Sequence, residues 1–359
     1  MPTEVALVRK ILLLVSIDQR GRNHCVSLTF GTMGLPSKRR LLGKVLSWLS
    51  VLYSIRTVAA DTPVFGILTQ PIKNSNETMI AASYVKWLEA GGARSIPIPY
   101  DASEELVEDI FGQIDGILLP GGASDLPPSA IYLWKLVRQA YSDGDFIPLW
   151  GTCLGFEFLL QMASRNNSIL EGGYVSENIS LPLEQVIQHR LYRPPNLYHS
   201  IRSLNLTMNN HELGIPPEVF SKTLALKKLW KVTSINHDLR GRPFVSTIEP
   251  IHPSSFPVYG VQFHPEKNAF EYSTYPHTNI PYEAIDHSKA GVSMSLYMAS
   301  FLVDLARNNP TYGKFHQYDK PDTYPLVYSY PMIRGIKFEQ TFRIPPSSDW
   351  TDGEIKVLQ

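Results

Sequence analysis

Cys153 stands between Gly151 and Gly155, where an apolar run ends and the amphipathic run 156–163 begins. This order is typical of a nucleophile elbow, in which a strand turns sharply into a helix and presents one side chain at the turn. The glycines allow the close backbone contacts that such a turn requires. The N-terminal end of the helix carries a partial positive charge, which favours the thiolate form of a cysteine placed there. Taken alone, the motif also fits a buried structural cysteine.

A histidine motif follows further along the chain, where the β-rich run 258–263 leads into His264, with Glu266 two residues beyond it. A thiol nucleophile needs a base to accept its proton and an acid to protonate the leaving amine, and histidine can do both near neutral pH. A carboxylate such as that of Glu266 can fix the imidazole tautomer and stabilise its charged form. A lone histidine at a strand end is usually a surface residue, but together with the elbow cysteine it predicts a thiol hydrolase.

The chain contains two cysteines, and the other one, Cys25, lies in a segment that we expect to be removed. Residues 33–60 have the pattern of a secretory signal peptide, with a basic cluster, an apolar stretch and small residues at the end. Residues 1–32 would then be an upstream extension or part of a longer presequence, so that 1–60 is the leader. The apolar stretch is shorter than the ~20 residues of a membrane span, so we expect no membrane partner for the mature form. Cys153 would remain as a single, candidate reactive thiol.

Four Asn-X-Ser/Thr sequons follow this leader. They make candidate glycosylation sites of Asn76, Asn166, Asn178 and Asn205. Together with the leader they predict passage through the secretory pathway, with the vacuole, the lysosome and the extracellular space as open destinations. Lys and Arg together number 33, as do Asp and Glu, and no basic stripe is present, so we expect no nucleic-acid partner.

The region from 63 to 153 alternates between strand and helix signals. The predicted strands are 63–68, 95–100, a buried strand over 116–122 that runs into a glycine turn, and the run before Cys153. The predicted helices are 79–88, 104–111 and 130–140. Such alternation, with nearly continuous apolar strands, predicts a parallel sheet that is covered on both faces. Active sites in these folds lie at the carboxyl ends of the strands. We therefore expect Gly121, Gly122 and Cys153 to share one crevice. The segment 312–346 is rich in proline and tyrosine and is predicted to be irregular.

The motifs 151–155 and 262–267 together resemble those of the class I glutamine-amidotransferase-like superfamily, and the chain after the leader resembles the γ-glutamyl hydrolases. Further matching segments are 66–68, 80–86, 116–122, 143–145 and 150–157. The resemblance implies an α/β three-layer sandwich with a central, mostly parallel sheet of the flavodoxin-like type. It also implies a hydrolase domain over 61–310, with 311–359 as a C-terminal extension packed on it, and a possible homodimer.

The same resemblance assigns roles to individual residues. Cys153 would attack a γ-carbonyl, His264 would act as base and acid, and Glu266 would be the third member of the triad. The N–H of Leu154 and that of Gly121 or Gly122 would form the oxyanion hole. The positions that match the family's substrate-binding residues are Tyr84, Glu157, His211 and Lys267. The implied substrate is a small molecule, a folate poly-γ-glutamate, and neither a metal nor an organic cofactor is implied.

Three other functions stay open at this point. A hydrolase of another γ-glutamyl compound, such as a γ-glutamyl amine, would use the same catalytic residues. A glutaminase-type amidotransferase is disfavoured, because such enzymes usually carry glutamine where this chain has Glu157 and because no synthetase domain follows. A non-catalytic protein that binds folate or a γ-glutamyl group is disfavoured by the intact Cys153, His264 and Glu266.

Overall fold

A computed structural model of the chain describes residues 62–335 and 337–350. The predicted leader with Cys25 and the last residues of the chain lie outside this part. The strands are, in chain order, β1 (Val64–Leu68), β2 (Gln70–Pro71), β3 (Thr78–Ala81), β4 (Arg94–Ile98), β5 (Gly116–Leu119), β6 (Leu149–Thr152), β7 (Ser176–Leu181), β8 (Thr207–His211), β9 (Trp230–His237), β10 (Pro243–Pro250), β11 (Val258–Val261), β12 (Met332–Arg334) and β13 (Gln340–Ile344). The α-helices are α1 (Ala82–Ala90), α2 (Glu104–Phe111), α3 (Pro128–Ser142), α4 (Leu154–Ser164), α5 (Pro195–Ser203), α6 (Pro217–Lys222), α7 (Leu224–Lys227), α8 (Lys267–Phe270) and α9 (Lys289–Arg307).

Seven strands form the central sheet, in the order β4-β1-β5-β6-β11-β10-β9. The strands from β4 to β11 are parallel to their neighbours, while β10 and β9 continue the sheet in antiparallel pairing. β1, β5, β6 and β11 are buried along their whole length, which explains why their sequences are almost continuously apolar. The predicted mostly parallel sheet is confirmed.

Helices cover both faces of this sheet. α1 packs against α9, and α2 packs against α3. The connection from β1 to β4 runs towards one edge of the sheet, and those from β4 through β5 to β6 run towards the other. Because crossovers between parallel strands are right-handed, α1 lies on one face and α2 and α3 lie on the opposite face. The predicted three-layer α/β architecture is confirmed. No helix among the described residues is long and apolar enough to cross a membrane.

The neighbouring strands β5 and β6 bring two predicted site segments together. Leu119 of β5 pairs with Gly151 of β6, so the chain leaves both strands at the same edge of the sheet. Gly121 follows β5 and Cys153 follows β6 at this edge. This is the shared crevice at the carboxyl ends of parallel strands that the sequence predicts.

Two predicted elements differ from the structure because of long-range pairing. The helix predicted over 79–88 begins only at Ala82, because Thr78–Ala81 forms β3 and pairs with β13 near the other end of the chain. The segment predicted to be irregular contains β12 and β13, which form a four-stranded sheet with β3 and β2. Before these two strands, His316 Nε2 lies 2.5 Å from Asp145 Oδ2. The domain limits proposed from the sequence remain a prediction.

Candidate active site

The turn at Cys153 has the geometry of a nucleophile elbow. β6 ends at Thr152, α4 begins at Leu154, and Cys153 between them has φ 51° and ψ −108°, which side chains rarely adopt. A Cβ on Gly155 would lie 2.0 Å from the Leu119 carbonyl oxygen, so only glycine allows α4 to start this close to β5. The predicted strand–turn–helix is present at these residues.

The Cys153 thiol is buried, with 4% of the residue exposed. Burial raises the pKa of the thiol far above its ordinary value, and the carboxylates of Glu157 and Glu266 raise it further. The Lys267 ammonium and the Leu154 N–H lower the pKa of the thiol, but they do not offset the burial. The sequence-based expectation that the helix end favours the thiolate is therefore outweighed by desolvation. Because burial opposes the thiolate, the thiol needs a base to accept its proton.

His264 is held in one orientation by Glu266. His264 Nδ1 lies 2.8 Å from Glu266 Oε1, and both side chains are buried. Because a carboxylate only accepts hydrogen bonds, Nδ1 carries the hydrogen and donates it, and Nε2 is left as the basic nitrogen. The His264 N–H donates to the Met208 carbonyl at 2.8 Å, which anchors the backbone at this point.

Gly121 is the point at which the catalytic groups meet. A Cβ placed there would lie 2.5 Å from His264 Cε1, 2.8 Å from Tyr84 Oη and 3.3 Å from Cys153 Cβ. These three side chains therefore surround the same backbone position, and only a glycine leaves room for them. Cys153 and His264, predicted as nucleophile and base from distant parts of the sequence, lie side by side.

The backbone N–H groups predicted for the oxyanion hole differ in their hydrogen-bond partners. The Leu154 N–H is directed at the Cys153 thiol, as expected for the residue after a nucleophile. The Gly121 N–H donates to Tyr84 Oη at 2.7 Å. Gly122 is exposed, and a Cβ on it would clash with the Gln70 side chain at 2.0 Å. The Gly121 N–H thus already has a hydrogen-bond partner, and the oxyanion-hole role of Gly121 or Gly122 stays a prediction.

Glu157 lies in the first turn of α4 beneath Cys153. It is 3% exposed, and its Oε1 accepts a hydrogen bond from Gln262 Nε2 at 2.9 Å. Burial raises the pKa of Glu157 to about 7, and the bond from Gln262 lowers it in part. A substrate contact to Glu157, predicted from the resemblance, would have to reach a side chain that is enclosed in this structure.

Lys267 is enclosed as well, because its ammonium group is bound by Glu283. Lys267 Nζ lies 2.5 Å from Glu283 Oε1 and 2.7 Å from Oε2, and both side chains are buried. Asn210 Nδ2 donates to the same carboxylate at 3.1 Å. The ammonium that was predicted to bind a glutamate carboxylate of the substrate thus already holds a glutamate carboxylate of the protein.

His211, at the end of β8, is buried close to the catalytic histidine. His211 Nδ1 donates to the Leu213 carbonyl at 2.7 Å. Burial lowers the pKa of His211 to about 4, the hydrogen bond to Leu213 raises it, and the charge of His264 lowers it. His211 is therefore a neutral imidazole at the edge of the site, and its predicted contact with substrate stays a prediction.

Comparison with known proteins places this arrangement in a family. The model of the class I glutamine amidotransferase family matches residues 76–280. Gamma-glutamyl hydrolase B of Dictyostelium discoideum is 34% identical over 320 residues, which cover 83% of this chain and 88% of that protein. The gamma-glutamyl hydrolase of Homo sapiens is 34% identical over 289 residues, covering 76% and 86%. Gamma-glutamyl hydrolase 2 of Arabidopsis thaliana is 32% identical over 268 residues, covering 69% and 73%.

The chain belongs to the γ-glutamyl hydrolase family. The family, the fold and the class of enzyme predicted from the motifs are thereby confirmed, and the chain is a hydrolase of the type that uses a cysteine nucleophile. The individual site residues remain predictions that the geometry above makes specific.

Two functional contacts of this γ-glutamyl hydrolase were missed in the sequence. Glu283 lies in an irregular connection between α8 and α9, and nothing in its local sequence pairs it with Lys267. The one available signal is general: a buried lysine needs an anionic partner. Gln262 stands within the β11 motif but was not linked to Glu157.

The described part of this family member contains no group of three or more His, Cys, Asp or Glu side chains that could hold a metal ion.

The predicted glycosylation sites lie on the surface, and all four asparagines are exposed, namely Asn76, Asn166, Asn178 and Asn205. Glycosylation of these residues remains a prediction.

Proposed function

We propose that the chain hydrolyses γ-glutamyl amide bonds of folate poly-γ-glutamates through a cysteine thioester. The observation that carries the proposal is the elbow thiol of Cys153 beside the buried His264–Glu266 pair, in a chain of the γ-glutamyl hydrolase family. The relatives are named for γ-glutamyl hydrolysis. Folate as the carrier of the glutamyl chain is the interpretation given by the sequence resemblance.

The first half of the reaction forms the thioester. As Cys153 Sγ attacks the γ-carbonyl carbon, His264 Nε2 accepts the thiol proton, and the carbonyl oxygen becomes an oxyanion near the Leu154 N–H. The imidazolium donates this proton to the departing amine nitrogen, and the C–N bond breaks. Glu266 stabilises the imidazolium through its bond to Nδ1.

The second half releases the acid. Water attacks the thioester carbonyl while His264 Nε2 accepts a proton from it. The C–S bond then breaks, the imidazolium returns its proton to sulfur, and the γ-carboxylic acid leaves. Because the burial of Cys153 disfavours a free thiolate, proton transfer to His264 accompanies the attack instead of preceding it.

The proposal includes a compartment of the secretory pathway as the place of action. The exposed positions of the four sequon asparagines support it, since glycans attach at accessible sites. Vacuole, lysosome and extracellular space are equally consistent with this support.

The test uses the full chain, expressed through a secretory host and incubated with a pteroyl-poly-γ-glutamate, with products followed by mass spectrometry. We expect folates that are shortened by glutamate residues, and none with Cys153→Ala. A folded wild-type protein that leaves the substrate intact but cleaves a γ-glutamyl amine would move the proposal to that substrate class. Cleavage by Cys153→Ala at the wild-type rate would contradict the mechanism.

A further inference from the structure

The Tyr84 hydroxyl joins two parts of the candidate active site. Tyr84 projects from α1, and the residue is 2% exposed. Its Oη accepts the Gly121 N–H at 2.7 Å and lies 3.3 Å from His264 Nδ1. One oxygen atom thus contacts both the glycine segment after β5 and the edge of the imidazole that carries the hydrogen.

This arrangement does not suit a residue that binds substrate. The phenol is enclosed, and the hydroxyl oxygen already accepts the backbone hydrogen bond from Gly121. The hydroxyl hydrogen is engaged as well, because Tyr84 forms a hydrogen bond with the Glu266 carboxylate, so a substrate group could bind this hydroxyl only by displacing one of the two contacts. The contacts of Tyr84 are instead with the protein's own catalytic segments.

We infer that Tyr84 is a positioning residue, which ties the His264–Glu266 pair to the Gly121 segment so that the base and the nucleophile keep one alignment. The inference rests on the proposed function for its kinetic readouts. It differs from the substrate-binding role that the family resemblance assigns to Tyr84.

The physical basis is that two groups contact the same edge of the His264 ring. Glu266 Oε1 lies 2.8 Å from Nδ1 and Tyr84 Oη lies 3.3 Å from it, which leaves the Nε2 edge for the thiol. A single hydrogen bond to Nδ1 would let the ring rock about that bond, whereas a second contact limits the movement. Burial, together with the charges of Glu266 and Cys153, holds the pKa of Tyr84 well above its ordinary value, so the hydroxyl stays neutral.

The test compares Tyr84→Phe with a matched control, Tyr192→Phe. Tyr192 is also fully buried and hydrogen-bonded, through Thr247 Oγ1 at 2.6 Å, but it lies outside the site. We expect Tyr84→Phe to lower kcat roughly tenfold, the loss that corresponds to one net hydrogen bond, and to change KM less than about twofold. The pH profile of Cys153 alkylation by iodoacetamide should also shift in Tyr84→Phe and remain unchanged in Tyr192→Phe.

A raised KM with unchanged kcat would overturn the inference and assign Tyr84 to substrate binding. An alkylation profile identical to that of the wild type would overturn it as well. Alkylation needs no γ-glutamyl substrate. The alkylation experiment therefore tests the positioning role of Tyr84 even if the wild-type chain cleaves no folate. Should Tyr84→Phe fail to fold, amide hydrogen exchange of Gly121 in the wild type gives a second test. Slow exchange supports the bond to Tyr84, and exchange at the rate of an exposed amide overturns it.

Discussion

Lys267 and Glu283 form a buried ion pair directly behind the catalytic motif, with Lys267 Nζ at 2.5 and 2.7 Å from the two carboxylate oxygens. Lys267 follows Glu266 in the chain, whereas Glu283 belongs to the connection between α8 and α9. The pair therefore fixes this connection to the segment that carries His264 and Glu266. It also keeps a positive charge within reach of the Cys153 thiol.

Breaking this pair should cost far more stability than removing both partners. We expect Lys267→Met or Glu283→Gln alone to lower the free energy of unfolding by about 3–5 kcal/mol, because one buried group is left without its partner. The double variant should lose much less than the sum of the two. Urea titration of the four proteins measures the coupling.

An exposed pair provides the control for this cycle. Lys222 and Glu218 are in contact on α6, and both side chains are 74% exposed. The same substitutions at these positions should leave the urea midpoint unchanged. Equal effects at the buried and exposed pairs would contradict the role given to Lys267 and Glu283.

Cys153→Ala should abolish turnover and preserve the fold. The substitution removes the atom that forms the thioester, and losing a nucleophile of this kind costs kcat on the order of 10⁴-fold or more. Alanine fits the space of cysteine, so the thermal unfolding midpoint should remain close to that of the wild type. Cys25→Ala is the matched control and should retain full activity. Residual turnover within tenfold of the wild type would exclude Cys153 as the nucleophile.

Gly155→Ala should destabilise the elbow. The new Cβ would lie 2.0 Å from the Leu119 carbonyl oxygen, which belongs to the backbone of a central strand and cannot move aside. Overpacking of this kind costs about 1–3 kcal/mol or more, and we expect activity to fall with it. Gly172→Ala is the control, because its Cβ meets Leu213 at an ordinary 3.6 Å. A Gly155→Ala protein with wild-type stability and activity would contradict this account of the turn.

His211 and Glu157 should affect stability in opposite directions between about pH 4 and 7. The pKa of His211 is lowered by burial from 6.5 to about 4, so its contribution to stability is present above pH 6.5 and is lost as the pH falls towards 4. The pKa of Glu157 is raised by burial from 4.5 to about 7, so its contribution is present below pH 4.5 and is lost as the pH rises towards 7.

The measurement is the free energy of unfolding against pH for His211→Gln and Glu157→Gln, each relative to the wild type. Relative to the wild type, His211→Gln should gain stability as the pH falls from 6.5 to 4, and Glu157→Gln should gain it as the pH rises from 4.5 to 7. Each gain has an upper limit of about 3 kcal/mol. A variant curve that runs parallel to the wild-type curve would show that burial does not shift the pKa of that residue as described.

The sequence predicted the parts of this molecule whose signals are local. The elbow at Cys153, the buried strand β5 and helix α2 follow from glycine spacing and apolar runs, and the structure has them at or near the expected residues. The proximity of Gly121 and Cys153 followed from the rule that parallel strands present their carboxyl ends at one edge. These inferences need no knowledge of which distant residues touch.

The failures share one physical cause, which is contact between residues far apart in the sequence. Residues 79–81 were predicted as helix, but they belong to β3, which is formed by pairing with β13 and β2. The partner of Lys267 could not be identified because many acidic residues are available to a buried lysine. The effect of the helix end on the thiol could be predicted because the elbow is visible in the sequence, whereas the depth of burial, which raises the pKa of the Cys153 thiol, is not.

The pairing of β13 with β3 has a consequence for biosynthesis. Residues 341–344 pair with the whole of Thr78–Ala81, whereas β2 pairs only with Thr78 and Met79, and β3 leads directly into the helix that carries Tyr84. That helix therefore gains this support only after the chain has been synthesised as far as residue 344. A nascent chain that has folded its central sheet around Cys153 still lacks this support until residues 341–344 have been synthesised.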